Sequence, residues 1–273
     1  MVLRKSLVQW GTRLGLIGTL LFSPAIGLSI RPLPALAIPE ADVIEKLSTV
    51  PVYTIVEVVD ENAQQSEIRL LTSPVPRDRQ SPDDGNVLLT PVFIHQEDAE
   101  AFIKREDVIP ENSNVKVIPS PLSKLYELQK KHRNDPEPLV FDLVPTKTQV
   151  TQAISLLREQ GNEERANQFN GVPLFIAKFE KDEQEGYLTL ENGDRKAVLA
   201  FFDYQDFETF AQESTQNAEE PKPRVFAEVV PLEYLINLLL SENEPLLESI
   251  EFVPTPESRN LIRQSIQERQ SGQ

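Results

Sequence analysis

The sequence predicts an α+β protein of two pseudo-symmetric halves, each ordered β-β-β-α-β-α-β-α and joined in a butterfly-like arrangement. Two observations lead there: a set of landmarks that recurs in order, and apolar runs of strand period followed by apolar stripes of helical period. Val50-Pro51-Val52-Tyr53-Thr54-Ile55 is answered 122 residues later by Val172-Pro173-Leu174-Phe175-Ile176-Ala177. Phe93 to Phe102, enclosing Asp98 and Glu100, is answered at a spacing of 108 by Phe201 to Phe210, enclosing Asp206 and Glu208. Val117-Ile118-Pro119 is answered by Val229-Val230-Pro231 at 112, and Val144-Pro145-Thr146 by Val253-Pro254-Thr255 at 109. The fall from 122 to 108 equals the 14 residues of the polar, proline-rich stretch Ser73 to Asn86, which reads as an insertion in the first copy. An internal duplication is therefore expected, and a unit packed on its own copy leaves a seam where pockets form.

Residues 38–161 form the first half in this reading, 162–171 a linker and 172–273 the second half. Ile38 to Thr49 suits a short leading helix. Val52 to Val59, Glu67 to Leu71 and Val87 to Ile94 are β-rich runs. A helix follows from Gln96 to Lys104, with Ala99, Phe102 and Ile103 on one face and Glu97, Asp98 and Glu100 near its start, where the helix dipole favours acids. Val115 to Ile118 is a strand, and Leu122 to Lys131 a helix with the stripe Leu122, Leu125, Tyr126, Leu128. The strand Leu139 to Val144 leads into the helix Lys147 to Gln160, stopped by Gly161.

The second half repeats the plan. Leu174 to Glu180 and Tyr187 to Glu191 are strands, and Asn192-Gly193 signals a tight turn into the strand Lys196 to Phe202. A helix carrying Phe207, Phe210 and Ala211, the strand Val225 to Val230, the helix Leu232 to Leu240, the strand Ser249 to Val253 and the helix Glu257 to Gln270 complete it. Valine-proline pairs sit at strand ends, where a missing N–H costs no ladder bond. Ser73 to Asn86 and Thr215 to Arg224 read as polar, mobile loops.

Residues 1–37 have the form of a cleavable secretory signal peptide: Arg4 and Lys5, an apolar run from Leu14 to Leu28, and Ala35-Leu36-Ala37 before the cut. The uninterrupted part of that run is short, glycine-rich and ended by Pro24, so with the Ala-x-Ala site an uncleaved anchor is the poorer reading. Removing it takes Arg4, Lys5, Arg13 and Arg31 and no acid, so the formal charge passes from −16 to −20. Such a chain is a poor ligand for nucleic acid or anionic lipid, which need clustered lysine and arginine. No cysteine is present, so an exported form must hold its core without disulfides. Met1 and Trp10, each the sole residue of its type, lie in the leader.

Catalysis finds little footing. Of two histidines, His95 stands where a strand passes into a helix and His132 ends a charged run. His95 with Asp98 could form a general base, but a place in the turn or helix start is the plainer reading. There is no nucleophile elbow, phosphate loop, dinucleotide fingerprint or zinc ligand set. Asp83-Asp84-Gly85 lacks the other ligands of a calcium loop. Asp98, Glu100, Asp206 and Glu208 are explained by helix-start chemistry. The chain is expected to be no enzyme and to carry no cofactor or metal. What stands out is apolar: Leu232, Leu235, Ile236 and Leu239 on one helix, and Leu122, Leu125 and Tyr126 on its counterpart. These seven are the candidate polypeptide-binding residues, with a role in the core as the alternative.

The order Val50-Pro51-Val52-Tyr53-Thr54-Ile55, then Thr90-Pro91-Val92-Phe93-Ile94 with Glu97-Asp98-Ala99, then Leu122 to Leu128 and Val172-Pro173-Leu174-Phe175 resembles the Tic22 family. That family includes the intermembrane-space component of the chloroplast protein-import machinery and cyanobacterial homologues. The resemblance spans nearly the whole chain after the leader, and its motifs are packing patterns. It implies a non-enzymatic protein-transport factor or chaperone with apolar pockets. With a bacterial-style leader, it implies a soluble periplasmic factor that binds unfolded outer-membrane protein precursors, with the β-barrel assembly machinery as a further partner. The thylakoid lumen is the alternative location. A structural adaptor fixed to an envelope membrane assembly, without holdase activity, is the alternative function.

Overall fold

A computed structural model describes residues 4–8, 38–59, 68–77, 85–105, 109, 114–182, 184–192, 195–216, 218 and 222–271. Among them are two mixed sheets and nine helices. The elements are β1 (Arg4–Val8), α1 (Glu40–Ser48), β2 (Pro51–Val58), β3 (Ile68–Leu70), β4 (Ser73–Pro76), β5 (Asn86–Phe93), α2 (Gln96–Ile103), β6 (Val115–Pro121), α3 (Leu122–Lys131), β7 (Leu139–Val144) and α4 (Lys147–Glu159). There follow α5 (Glu163–Gln168), β8 (Pro173–Lys181), β9 (Gln184–Asn192), β10 (Arg195–Phe201), α6 (Tyr204–Thr215), β11 (Arg224–Pro231), α7 (Leu232–Ser241), α8 (Pro245–Glu248), β12 (Ile250–Val253) and α9 (Pro256–Ser271).

The two sheets share no strand and are built alike. In the first, β2 lies antiparallel to β6 with Pro51 opposite Pro121, and β5 lies parallel to β7 with Phe93 opposite Val144. In the second, β8 lies antiparallel to β11 with Pro173 opposite Pro231, and β10 lies parallel to β12 with Phe201 opposite Val253. Tyr53 faces Phe93 across one sheet as Phe175 faces Phe201 across the other. The landmark phenylalanines meet as pairs, Phe93 with Phe102 at 5.3 Å and Phe201 with Phe210 at 5.4 Å between ring centres. Leu122 N–H donates to the Val50 carbonyl, and Leu232 N–H to that of Val172, each at 2.8 Å.

Strand alternation sorts side chains into three cores. From β8 and β10, Leu174, Ile176, Val198 and Ala200 point into a central core, while Phe175, Ala177, Leu199 and Phe201 point into a second. From β2 and β5, Val52 and Val92 enter the same central core, while Tyr53, Ile55 and Phe93 form a third with Ala99 of α2. The central core thus joins the inner faces of both sheets, with Val43 and Leu47 of α1, Leu122 and Leu125 of α3, Leu232, Leu235 and Leu239 of α7 and Leu247 of α8 among them. Strands buried on both faces read as nearly continuous apolar runs, as Val52 to Val56 does apart from the buried Thr54. Among the described residues, all three cores are built from residues at or after Ile38.

The last helix of each half crosses to the other half's sheet. α4 packs on β8 and β11, burying Ala153 and Leu157 in the second core, and α9 packs on β2 of the first sheet. Tyr53, 1% exposed, lies beside Ser258, also 1% exposed. The crossing is pinned at the helix starts. Gln149 of α4 donates to Asp203 at 2.9 Å, and Asp203 caps α6 through the N–H groups of Gln205 and Asp206. Arg259 of α9 holds Asp206 with two hydrogen bonds of 2.6 and 3.0 Å.

Three segments depart from the sequence reading. Ser73 to Asn86 is not all loop: Ser73–Pro76 pairs with β5 as an edge strand, where Pro74 and Pro76 cost no ladder bond on the open side. The expected linker contains α5, anchored by Ala166 at 2% exposure. α8 was not foreseen; Pro245 starts it and Leu247 is buried. The backbone of Arg4–Val8 lies antiparallel to the outer edge of β9, from Arg4 opposite Glu191 to Val8 opposite Tyr187. The remainder of the expected signal peptide lies outside the described residues. So do Asp83, Asp84 and Gly193, though Asn192 and Arg195 pair across a two-residue connection as the turn signal requires.

Candidate binding cleft at the seam

The counterpart helices α3 and α7 both begin directly after a strand-ending proline, Pro121 and Pro231. Fixed φ at that proline suits a helix entrance, and each helix then runs along the central core. Between them opens a cleft of about 210 Å³. Leu47 of α1 lies at its base, α3 contributes Leu122, Leu125, Tyr126 and Gln129, and β7 contributes Phe141 and Leu143. From α7 come Glu233, Ile236, Asn237 and Leu240. Small-molecule sites usually run to roughly 300–1,000 Å³, so this space suits one protein side chain better than a free ligand.

The seven residues singled out from the sequence are divided by this geometry. Leu122, Leu125, Tyr126 and Ile236 line the cleft; Leu232, Leu235 and Leu239 do not and are at most 2% exposed in the central core. Gln129, Phe141, Leu143, Glu233, Asn237 and Leu240 were not read from the sequence as lining. The apolar surround of α7 does hint at Leu240, because a helix that is apolar on most sides must present part of that surface elsewhere.

Polar groups fix the walls. Gln129 Oε1 accepts the Phe141 N–H at 2.9 Å, tying α3 to β7. Tyr126 donates its hydroxyl to Glu40 Oε1 at 2.8 Å, and Lys130 Nζ meets the same carboxylate at 2.6 Å, tying α3 to α1. Burial, then the bond to Glu40, pushes the Tyr126 phenol up to about 12. Lys130 and Tyr126 hold the Glu40 carboxyl below its ordinary range.

Among the described residues, Glu233 is the one acid on the cleft wall. Burial raises its pKa against the backbone N–H groups of Glu233 and Val172, which favour the charged form, and Asp142 adds to the rise. Its Oε2 is buried without a hydrogen-bond partner. The carboxylate rests on Gly171, whose φ is +94° and where a Cβ would stand 2.6 Å from Oε2. Gly171→Ala is expected to cost about 1–3 kcal/mol from backbone strain and displacement of Glu233, read as a lower midpoint in urea unfolding.

A larger depression of about 900 Å³ lies between α1, α8, β10 and β12. Its lining mixes both signs, with Asp42, Glu45, Glu248 and Glu251 against Lys46, Arg195 and Lys196. Lys46 Nζ donates to the carbonyls of Glu248 and Ile250 at 2.8 and 2.9 Å, capping the end of α8, and burial lowers its pKa. The depression is therefore used in part to hold the fold together.

The residues weighed for catalysis hold structural places. His95 is the N-cap residue of α2, with Nδ1 3.6 Å from Glu257 of α9, and Asp98 accepts from Thr146 at 3.0 Å. His132 ends α3 and contacts Asp135 at 2.7 Å. Among the described residues no three His, Cys, Asp or Glu side chains gather to hold a metal, and no helix is long and apolar enough to cross a membrane.

The family model described as Tic22-like matches residues 27–265. The chain belongs to the Tic22-like family. Among solved structures, the chain is similar to Anabaena Tic22, described as a protein-transport protein, with a TM-score of 0.66 at 25% identity, over 83% of this chain and 97% of that one. Tic22 from Plasmodium falciparum has the same fold, with a TM-score of 0.52 at 19% identity, over 81% and 95% of the two chains. No curated protein matches. Membership of a Tic22-like protein-transport family makes other proteins the expected partners.

Proposed function

We propose that this chain is a non-enzymatic periplasmic holdase that keeps unfolded polypeptides, outer-membrane precursors among them, from aggregating during transport. The observation that carries the proposal is the seam cleft, where apolar side chains from α1, α3, β7 and α7 converge on space for one client side chain. Family membership supports a role in protein transport, and the secretory leader supports export. A single side-chain anchor supports weak, reversible capture, which a carrier needs in order to release its client. The formal charge of −20 left once the leader is removed supports solubility of the loaded complex. The matched register of the two sheets supports descent of both halves from one duplicated unit.

The test is light scattering. The chain from Ile38 to Gln273 is mixed with an unfolded outer-membrane β-barrel protein and, separately, with an unrelated unfolded enzyme. Suppression of both is the result of a general holdase, and suppression of the barrel alone that of a dedicated carrier. Aggregation of both at the rate seen without the chain would remove the holdase proposal and leave a fixed adaptor as the account.

A further inference from the structure

We propose that, once the leader is removed, the edge of β9 takes an extended segment of the client as an added antiparallel strand, apolar at the positions opposite Leu188 and Leu190. The inference deepens the holdase reading and rests on it. The chain itself shows the seat: Arg4–Val8 lies there as β1, with Ser6 opposite Thr189 and Leu7 opposite Leu188. The strand order places β1 at the end of its sheet, so a chain cut after Ala37 has β9 as the end strand among those described. Strand edges left uncovered pair with other chains unless they are blunted.

Two other edges are blunted. Pro74 and Pro76 leave the open side of β4 without N–H donors, and at β11 the carbonyls of Ala227 and Val229 accept from Gln160 and Arg165 at 2.7 and 2.9 Å. β9 has no proline in its nine residues, and β1 is the strand that covers it. Its hairpins say which groups face outward. Lys181 stands opposite Gln184, and Asn192 opposite Arg195, across two-residue connections, and residues flanking such a loop exchange both hydrogen bonds. Even-numbered residues of β9 therefore bond within the sheet, and Tyr187, Thr189 and Glu191 turn their N–H and C=O groups to the edge. A guest strand makes its hydrogen bonds through the residues opposite these three. Its other residues stand opposite Leu188, in the second core, and Leu190, packed against it, and share their face. Apolar residues at alternate positions are what a strand of an outer-membrane β-barrel carries.

Fluorescence anisotropy with a short labelled peptide that alternates threonine and valine tests this on the chain from Ile38 to Gln273 and on the uncleaved chain from Met1. Valine is the guest residue for Leu188 and Leu190, so threonine carries the hydrogen bonds to the edge. Methylation of the threonine backbone nitrogens is expected to weaken binding about tenfold or more, through loss of several ladder bonds, while methylation of the valine nitrogens leaves it within about twofold. The uncleaved chain is expected to bind the unmodified peptide about tenfold more weakly, because β1 holds the edge. Equal affinity for the unmodified and threonine-methylated peptides overturns strand addition and leaves capture by the seam cleft standing. Loss on valine methylation instead overturns the outward set Tyr187, Thr189 and Glu191. Equal binding by the two chains, or a dimer of the shorter chain that the peptide leaves intact, overturns it by taking the guest off this edge or giving the edge to a second copy. Binding of no peptide overturns it as well, and light scattering on the same chain then decides the holdase reading separately.

Discussion

Replacing Leu235 and Leu239 together by serine is expected to unfold the protein rather than to blunt client capture. Both are at most 2% exposed and reach the central core that joins the two sheets. Truncating a buried leucine costs about 2–5 kcal/mol, and each serine adds a hydroxyl with no partner provided for it. Two such losses approach the roughly 5–15 kcal/mol that holds a typical domain. Circular dichroism on heating reads the effect as a lost or strongly lowered transition. Ile236→Ser with Leu240→Ser is the contrast: both line the cleft and are only partly buried, so the fold is kept while capture falls. A Leu235→Ser, Leu239→Ser protein that melts like the native chain would remove both from the core.

A chain ending at Thr255, without α9, is expected to lose the first half's packing although α9 belongs to the second. α9 lies over β2, where Tyr53 is 1% exposed, and its Arg259 grips Asp206 of α6. Uncovering one aromatic side chain costs about 1.5–3 kcal/mol, and losing hydrogen bonds to a charged group costs about 1.5–3 kcal/mol more. The damage is expected to show as early hydrogen exchange in β2 and β5, with α4 still covering the second sheet. Exchange rates in β2 unchanged by the truncation would mean that the first sheet does not depend on the crossed helix.

The sequence carried most elements and few of their partners. The helix Leu122–Lys131 and the strand Leu139–Val144 were legible to the residue, because Pro121 and Pro138 punctuate clean periodic runs. Ser73–Pro76 was not, since its prolines argue for a loop and are tolerated only by the open edge of β4, a fact of pairing. α8 has four residues and α5 six, too few to display a helical period. The crossing of α4 and α9 was hidden because an apolar stripe says that a helix packs, not on which sheet. The cleft was half legible for the same reason. α7 is apolar on nearly every side, so its sequence could not separate Leu235, which faces the core, from Ile236 and Leu240, which face the opening. Glu233, second in its helix, looks like any acid placed for the helix dipole; only the tertiary fold buries its Oε2.

Photo-crosslinking with an unfolded outer-membrane β-barrel protein as client tests the central claim most directly. A photoreactive residue is placed in turn at Ile236 and Leu240 in the cleft, and at Tyr234, which is 56% exposed on the same helix and absent from the cleft wall. Client held in the seam cleft gives adducts from Ile236 and Leu240 and few from Tyr234. Adducts from Tyr234 alone, with none from the two cleft positions, would contradict the account by placing the client on the outside of α7.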